Sequence, residues 1–218
     1  MDVKFLDIYD RWINHVRNTR YLNLDLSHRC PLECPQCDRQ RHFKKKGILK
    51  IPGKDMTLED FNKITNFARK ILFCGRLSDP IHHPKFINFL KICNDKGIKV
   101  QISTASSFKP HKWYIEAFKA HPTADWTFGI DGLPDQSHNY RKNQNGKKLF
   151  DIMIESKKYL TSQPIWQYIM FKYNEHNLDN AMQIAKENNL LFRVIRSSRW
   201  KQQQDNLMPS LKHWSVNE

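Results

Sequence analysis

The sequence predicts an α/β fold, built as a partial (β/α)6 barrel of parallel strands. Three observations carry this expectation. Strand-like and helix-like segments alternate along the chain, which implies βαβ units and a parallel sheet. Six strands are spelled out, where a closed barrel has eight. The strands alternate apolar and polar residues, whereas parallel strands buried on both faces read as unbroken apolar runs. An open doubly wound sheet satisfies the first two observations as well. The third favours a barrel whose polar faces line a shared concavity.

The elements follow in order. Residues 4–19 read as an amphipathic helix, with Phe5, Ile8, Tyr9, Trp12, Ile13 and Val16 at helical spacing. Strands are predicted over 21–27, 71–75, 99–104, 124–131, 164–172 and 190–197, and helices over 57–70, 84–96, 111–120, 147–161 and 177–189. Thr57, Pro84 and Asn177 stand where helix starts are expected. The organisation is an N-terminal helix over 1–20, a core over 21–198 and a tail over 199–218. In "YLNLDLS", Leu22, Leu24 and Leu26 oppose Asn23, Asp25 and Ser27. In "KVQIST", Val100 and Ile102 oppose Gln101 and Ser103. In "ADWTFGID", Trp126, Phe128 and Ile130 oppose Asp125, Thr127, Gly129 and Asp131. The apolar faces should meet the helices. The last strand offers either Arg193 and Ser197 or Phe192, Val194 and Arg196 to the polar side.

The 218 residues suffice for a core without disulfide staples. No apolar run approaches the roughly 20 residues of a membrane span, and "MDVKFLDIYDRW" lacks the basic and apolar regions of a signal peptide. These readings predict a cytoplasmic protein with reduced thiols and no membrane partner. Its 36 Lys+Arg outweigh 22 Asp+Glu, for a net charge of +14. Such an excess suits an acidic partner, or simply a solubilising surface.

Three of the five cysteines fall in "HRCPLECPQCDRQ", as Cys30, Cys34 and Cys37 with C-x3-C-x2-C spacing. They follow the first strand, at the end where α/β barrels bind ligands. Thiolates select zinc, Cu(I) or iron–sulfur clusters. A structural zinc wants four ligands, which His28 or His42 would complete. Cys74 reads as a small core residue.

This motif, in the loop after the first strand of a βα series, resembles the signature of the radical S-adenosylmethionine (SAM) enzymes. The resemblance implies that Cys30, Cys34 and Cys37 hold three irons of a [4Fe–4S] cluster, and that SAM takes the fourth through its amine and carboxylate. The residue before the third cysteine is usually aromatic in that family. Here it is Gln36, whose backbone would serve the adenine. "ILFCGRLSDP" resembles the family's glycine-rich motif through Gly75 and the Asp79-Pro80 pair, implying contact with the methionyl amine. "ISTASS" resembles the family's third-strand ending and implies a SAM contact at Ser103, with Thr104 beside it. "FGIDGLPDQSHNYR" is similar to a stretch of the peptide-modifying branch, which implies that Asp131 and Arg141 bind the ribose and carboxylate of SAM. The fifth segment, "WQYIMFKYNEHN", resembles that branch at Asn174. The chain lacks the branch's Cys-rich C-terminal extension, since no cysteine follows Cys93.

By this resemblance the expected reaction is reductive cleavage of SAM to a 5′-deoxyadenosyl radical that removes hydrogen from a substrate. The electron would come from a donor such as flavodoxin or ferredoxin. A peptide or protein side chain is the leading substrate. The segment 38–56 carries seven Lys/Arg against two Asp, and with the basic, Trp-containing tail it keeps an acidic peptide or a nucleic acid in view. A non-catalytic zinc or iron–sulfur module is the remaining alternative.

Overall fold

The computed structural model describes residues 20–41, 54–75, 77–197 and 206–210. The helix expected over 4–19 lies outside these residues, as do most of the basic segment and most of the tail.

Six strands form one sheet: β1 (Tyr21–Leu24), β2 (Lys70–Cys74), β3 (Lys99–Thr104), β4 (Asp125–Gly129), β5 (Ile165–Ile169) and β6 (Leu191–Ile195). All neighbours are parallel and the order is sequential, β1 to β6. The connecting helices are α1 (Leu58–Thr65), α2 (Phe86–Asp95), α3 (His111–Ala120), α4 (Gly146–Ser156) and α5 (Leu178–Glu187). A doubly wound sheet reverses its strand order to place helices on both faces. Sequential order with right-handed crossovers keeps every helix on one face, which decides for the partial barrel. β1 and β6 do not pair, so the sheet stays open.

Local chemistry explains the helix ends. The Thr57 hydroxyl accepts from Asp60 N at the start of α1, and Asn145 Oδ1 accepts from Lys148 N at the start of α4; each satisfies a donor with no partner inside its helix. After α2 the chain reverses at Gly97, whose φ of 63° suits glycine. Helix α1 is shorter than the 57–70 expected. Asn66 N and Phe67 N turn back to Lys63 O and Ile64 O, releasing the chain to enter β2.

The apolar strand faces do meet the helices. Ile71, Phe73, Val100, Ile102, Trp126, Phe128, Trp166 and Tyr168 are buried together with Phe61, Phe86, Phe89, Phe118 and Leu149. Phe118 stands edge-on to Trp126 at 4.9 Å, and Phe61 meets Phe89 at 4.4 Å. Burying each such side chain is worth about 1.5–3 kcal/mol. Phe192 packs against Trp166 at 5.2 Å, so it belongs to the helix side with Val194, while Arg193 pairs in register with Gln167 on the other face.

Strands β1, β4 and β5 end before the predicted 27, 131 and 172. Beyond β4 and β5, side chains take over part of the backbone's hydrogen bonding: Asp131 N donates to Ser137 Oγ at 2.8 Å. Asn174 accepts from Phe171 N at 2.7 Å and donates to Ile169 O at 3.0 Å. The released segments are the ones that carry the site.

Candidate functional site

A cavity of about 340 Å³ opens at the C-terminal ends of the strands. Cys30, Cys34 and Cys37 line it from the loop after β1. Cys74 and Gly75 line it from the end of β2, Ser103 from β3 and Gly129 from β4. Gln167 and Ile169 contribute from β5, Ile195 from the end of β6, and Arg196 and Ser197 from just beyond it. The polar strand faces therefore do form a shared concavity. Its walls differ in part from the expected set, because Asn23, Asp25 and Asp131 are not among the lining residues. Asp25 instead accepts from Leu77 N at 2.9 Å and from the Ser78 hydroxyl, fastening the loop after β2.

The thiol loop is held on several sides. Cys37 N donates to Cys34 O at 3.0 Å, and Arg41 N to Cys37 O at 2.9 Å. Arg39 Nη2 caps Leu32 O at 2.6 Å. Asp79 N donates to Arg29 O at 3.0 Å, Asn143 Nδ2 donates to Pro31 O at 3.2 Å, and Arg29 pairs with Asp55. Leu32 and Cys34 pack with Ala105, Tyr140 and Phe171. Gln36 sits in the turn between the second and third cysteines, half-buried and outside the cavity lining.

Among the described residues no group of three or more His, Cys, Asp or Glu closes around a metal ion. The three thiols stand instead around one cavity. Soft thiol donors at the rim of a cavity, with a guanidinium beside them, fit an iron–sulfur cluster. Burial pushes the Cys30 thiol up to about 12, with Asp79 adding to the rise. Burial also raises Cys34, against the opposing pull of Arg141. Loading a metal here must therefore release thiol protons.

Gly75 lines the cavity where no other residue fits: a β-carbon would lie 1.7 Å from Ser78 O. Asp79 also lines it, but its carboxylate serves as a clamp. It accepts from Thr104 Oγ1 and Ala105 N at 2.9 Å and from Ser106 N at 3.0 Å. Burial raises its pKa, and these hydrogen bonds oppose the rise. Ser103 pairs in register with Cys74, and both line the cavity. Cys74 is thus a wall of the cavity, not the small core residue expected.

Asp131 and Arg141 are brought together. Arg141 Nε lies 2.8 Å from Asp131 Oδ2, with the two side chains 14% and 0% exposed. The other carboxylate oxygen accepts from Ile169 N at 2.9 Å. Asp131 N donates to Ser137 Oγ at 2.8 Å, and Tyr173 Oη donates to Asp131 O at 2.6 Å. Of the pair, Arg141 lines the cavity and Asp131 lies behind it. Burial raises the carboxyl, and the guanidinium opposes it.

Gly129 and Gln144 escaped the sequence reading. A β-carbon at Gly129 would meet Arg141 Nη2 at 2.9 Å. The signal was present, since a glycine inside a strand often marks a close approach. Gln144 Nε2 donates to Ala105 O at 2.6 Å and to Gly129 O at 2.8 Å, bridging the ends of two strands. No local pattern announces such a bridge.

The sequentially ordered partial barrel is a fold that the chain shares with solved structures of radical SAM enzymes. No protein-family model matches it. The chain is 29% identical over 90 residues to the tungsten-containing aldehyde ferredoxin oxidoreductase cofactor-modifying protein of Pyrococcus furiosus, across 39% of this chain and 23% of that one. It is 23% identical over 170 residues to the PqqA peptide cyclase of Bradyrhizobium diazoefficiens, across 74% and 42%. Among solved structures, Streptococcus suis SuiB bound to its precursor peptide SuiA superposes with a TM-score of 0.66 at 14% identity, covering 89% of this chain and 44% of SuiB. SuiB bound to S-adenosylmethionine gives 0.65 at 15% identity, covering 89% and 46%. The chain thus spans less than half the length of each of these proteins.

Proposed function

We propose that this chain is the core of a radical SAM enzyme that abstracts hydrogen from a peptide or protein side chain. One observation carries the reading: Cys30, Cys34, Cys37 and Arg141 line a single cavity at the ligand-binding end of the barrel. Three thiolates would hold a [4Fe–4S] cluster and leave one iron for SAM. When bound, the pair supplies one-electron cleavage of SAM to methionine and a 5′-deoxyadenosyl radical that takes a hydrogen atom from the substrate. The protein's part is to bind, orient and shield. Arg141 offers a fork to the SAM carboxylate. Gly75 admits the methionyl group close to backbone, beside Asp79, and Ser103 offers a hydroxyl. Gln36 serves the adenine through its backbone. Asp131, expected to meet the ribose, instead holds Arg141 and Ile169 N through its carboxylate and so positions the guanidinium.

A peptide substrate is supported by the peptide named with two of the similar proteins. The electron would come from a low-potential carrier such as flavodoxin or ferredoxin, in a reducing cytoplasm. No helix among the described residues is long and apolar enough to cross a membrane. The charge of +14 favours a second reading, the same chemistry on a nucleobase.

Anaerobic reconstitution tests the chemistry. The protein should turn brown with about four irons and four sulfides, and dithionite with SAM should release 5′-deoxyadenosine. Cys30→Ala, Cys34→Ala and Cys37→Ala should each abolish both. A colourless protein holding one zinc would overturn the reading in favour of a binding module.

A further inference from the structure

The pairing of Asp131 with Arg141 leaves a question of charge. Arg141 is held on one side by a fully buried carboxylate at 2.8 Å. Its charge also acts on the Cys34 thiol, opposing the rise that burial causes, and both residues line the cavity. The missing side chain at Gly129 lets the guanidinium lie close to the strand. Gln144 ties Ala105 and Gly129 together beneath it. A buried carboxylate, a guanidinium and a thiol thus stand in series at the wall of the cavity.

We propose that Arg141 sets the reduction potential of the cluster through Cys34, and that Asp131 is a positioning residue that partly cancels its charge. This rests on the reading that Cys34 is a cluster ligand. A cluster's potential depends on its net charge, on hydrogen bonds to its sulfurs and on exposure. A guanidinium against a ligand sulfur stabilises the more negative, reduced state and raises the potential. A carboxylate behind that guanidinium opposes the effect. Reduction adds one electron, delivered by a low-potential carrier, and neither makes nor breaks a bond. The same guanidinium faces the cavity in which the SAM carboxylate would bind. SAM binding would then alter the potential through the same side chain.

The opposed signs make the test specific. The full chain is reconstituted anaerobically without SAM, and the reduced cluster is followed by electron paramagnetic resonance during a redox titration. Arg141→Gln should lower the potential, cutting the reduced-to-oxidised ratio at a fixed potential about tenfold, which is 59 mV for one electron. Asp131→Asn, which keeps the shape and removes the charge, should raise it. A general loosening of the site would move both variants the same way, and that result would overturn the proposal, as would two unchanged potentials. Should Arg141→Gln fail to assemble a cluster, Arg141→Lys and Asp131→Asn carry the test: the lysine should retain most of the parental potential, and an asparagine variant at or below it refutes the role. If the parental protein itself takes up no iron and sulfide, the enzyme reading fails instead, and the two failures are distinguishable.

Discussion

A β-carbon at position 129 would lie 2.9 Å from Arg141 Nη2 and 3.2 Å from its Cζ, too close for the guanidinium to stay. Gly129→Ala should therefore weaken SAM binding several-fold while the iron content stays unchanged, since no thiol is touched. Equilibrium binding and iron analysis on the same sample check this; unchanged affinity would mean that Arg141 does not meet SAM. The three cysteines were legible from spacing, because one short loop must bring its own residues together. Arg141 was legible only by resemblance. Its distance from Asp131 is a tertiary fact, set by Ser137, Ile169 and Tyr173 acting on the aspartate from three directions.

At the scale of elements, the thiol loop and the C-terminal segment are coupled. Leu207 packs with Cys30, Cys37, Ile169 and Tyr173 against the cluster formed by Leu32, Cys34 and Phe171. Lys172 N donates to Leu207 O at 3.0 Å, and Ser210 N to Glu175 Oε2 at 2.7 Å. The segment 206–210 thus lies as a strap across the loop that follows β5. Leu207→Ala should speed alkylation of Cys30 and Cys37 in the metal-free protein several-fold, leaving fully buried Cys93 as the slow internal control. Its cost in stability should not exceed about 2 kcal/mol, below the 2–5 typical of fully buried Leu→Ala changes. Peptide mapping after timed labelling reads the first effect and denaturant unfolding the second; equal rates for both proteins would mean the strap shields nothing. The sequence showed this segment only as a basic, aromatic tail, because nothing local says which surface a tail will cover.

For the whole molecule, the open sheet and the charge bear on the substrate. Among the described residues, β1 and β6 leave an opening between them, and Ile195, Arg196 and Ser197 border the cavity beside the edge of β6. A macromolecule can present one residue through such an opening. If the substrate is a peptide, binding should persist at high salt, through backbone and apolar contacts. If it is a nucleic acid, affinity should fall steeply as salt rises, because phosphate contacts release counterions. Titrating a labelled peptide and a labelled RNA from low to high salt separates the two, and retained RNA affinity with none for peptide would reverse the preferred substrate.

The sequence by itself determined the fold class, the six strands and the three-thiol loop. These rest on periodicity and short spacing, which a linear chain displays directly. Even the choice of helix-facing residues followed, since a strand has two faces and the apolar one must leave water. Tertiary structure decided what linear reading left open. Strand order excluded the doubly wound sheet. Cys74 became a cavity wall because it lies in register with Ser103. Asp79 and Asp131 took structural partners because burying a carboxylate unpaired is too costly, and the nearest donors lie on neighbouring strands and loops. The cavity that the three cysteines line is thus bordered by a paired arginine, and its aspartate partner is fixed by Ile169 of the neighbouring strand.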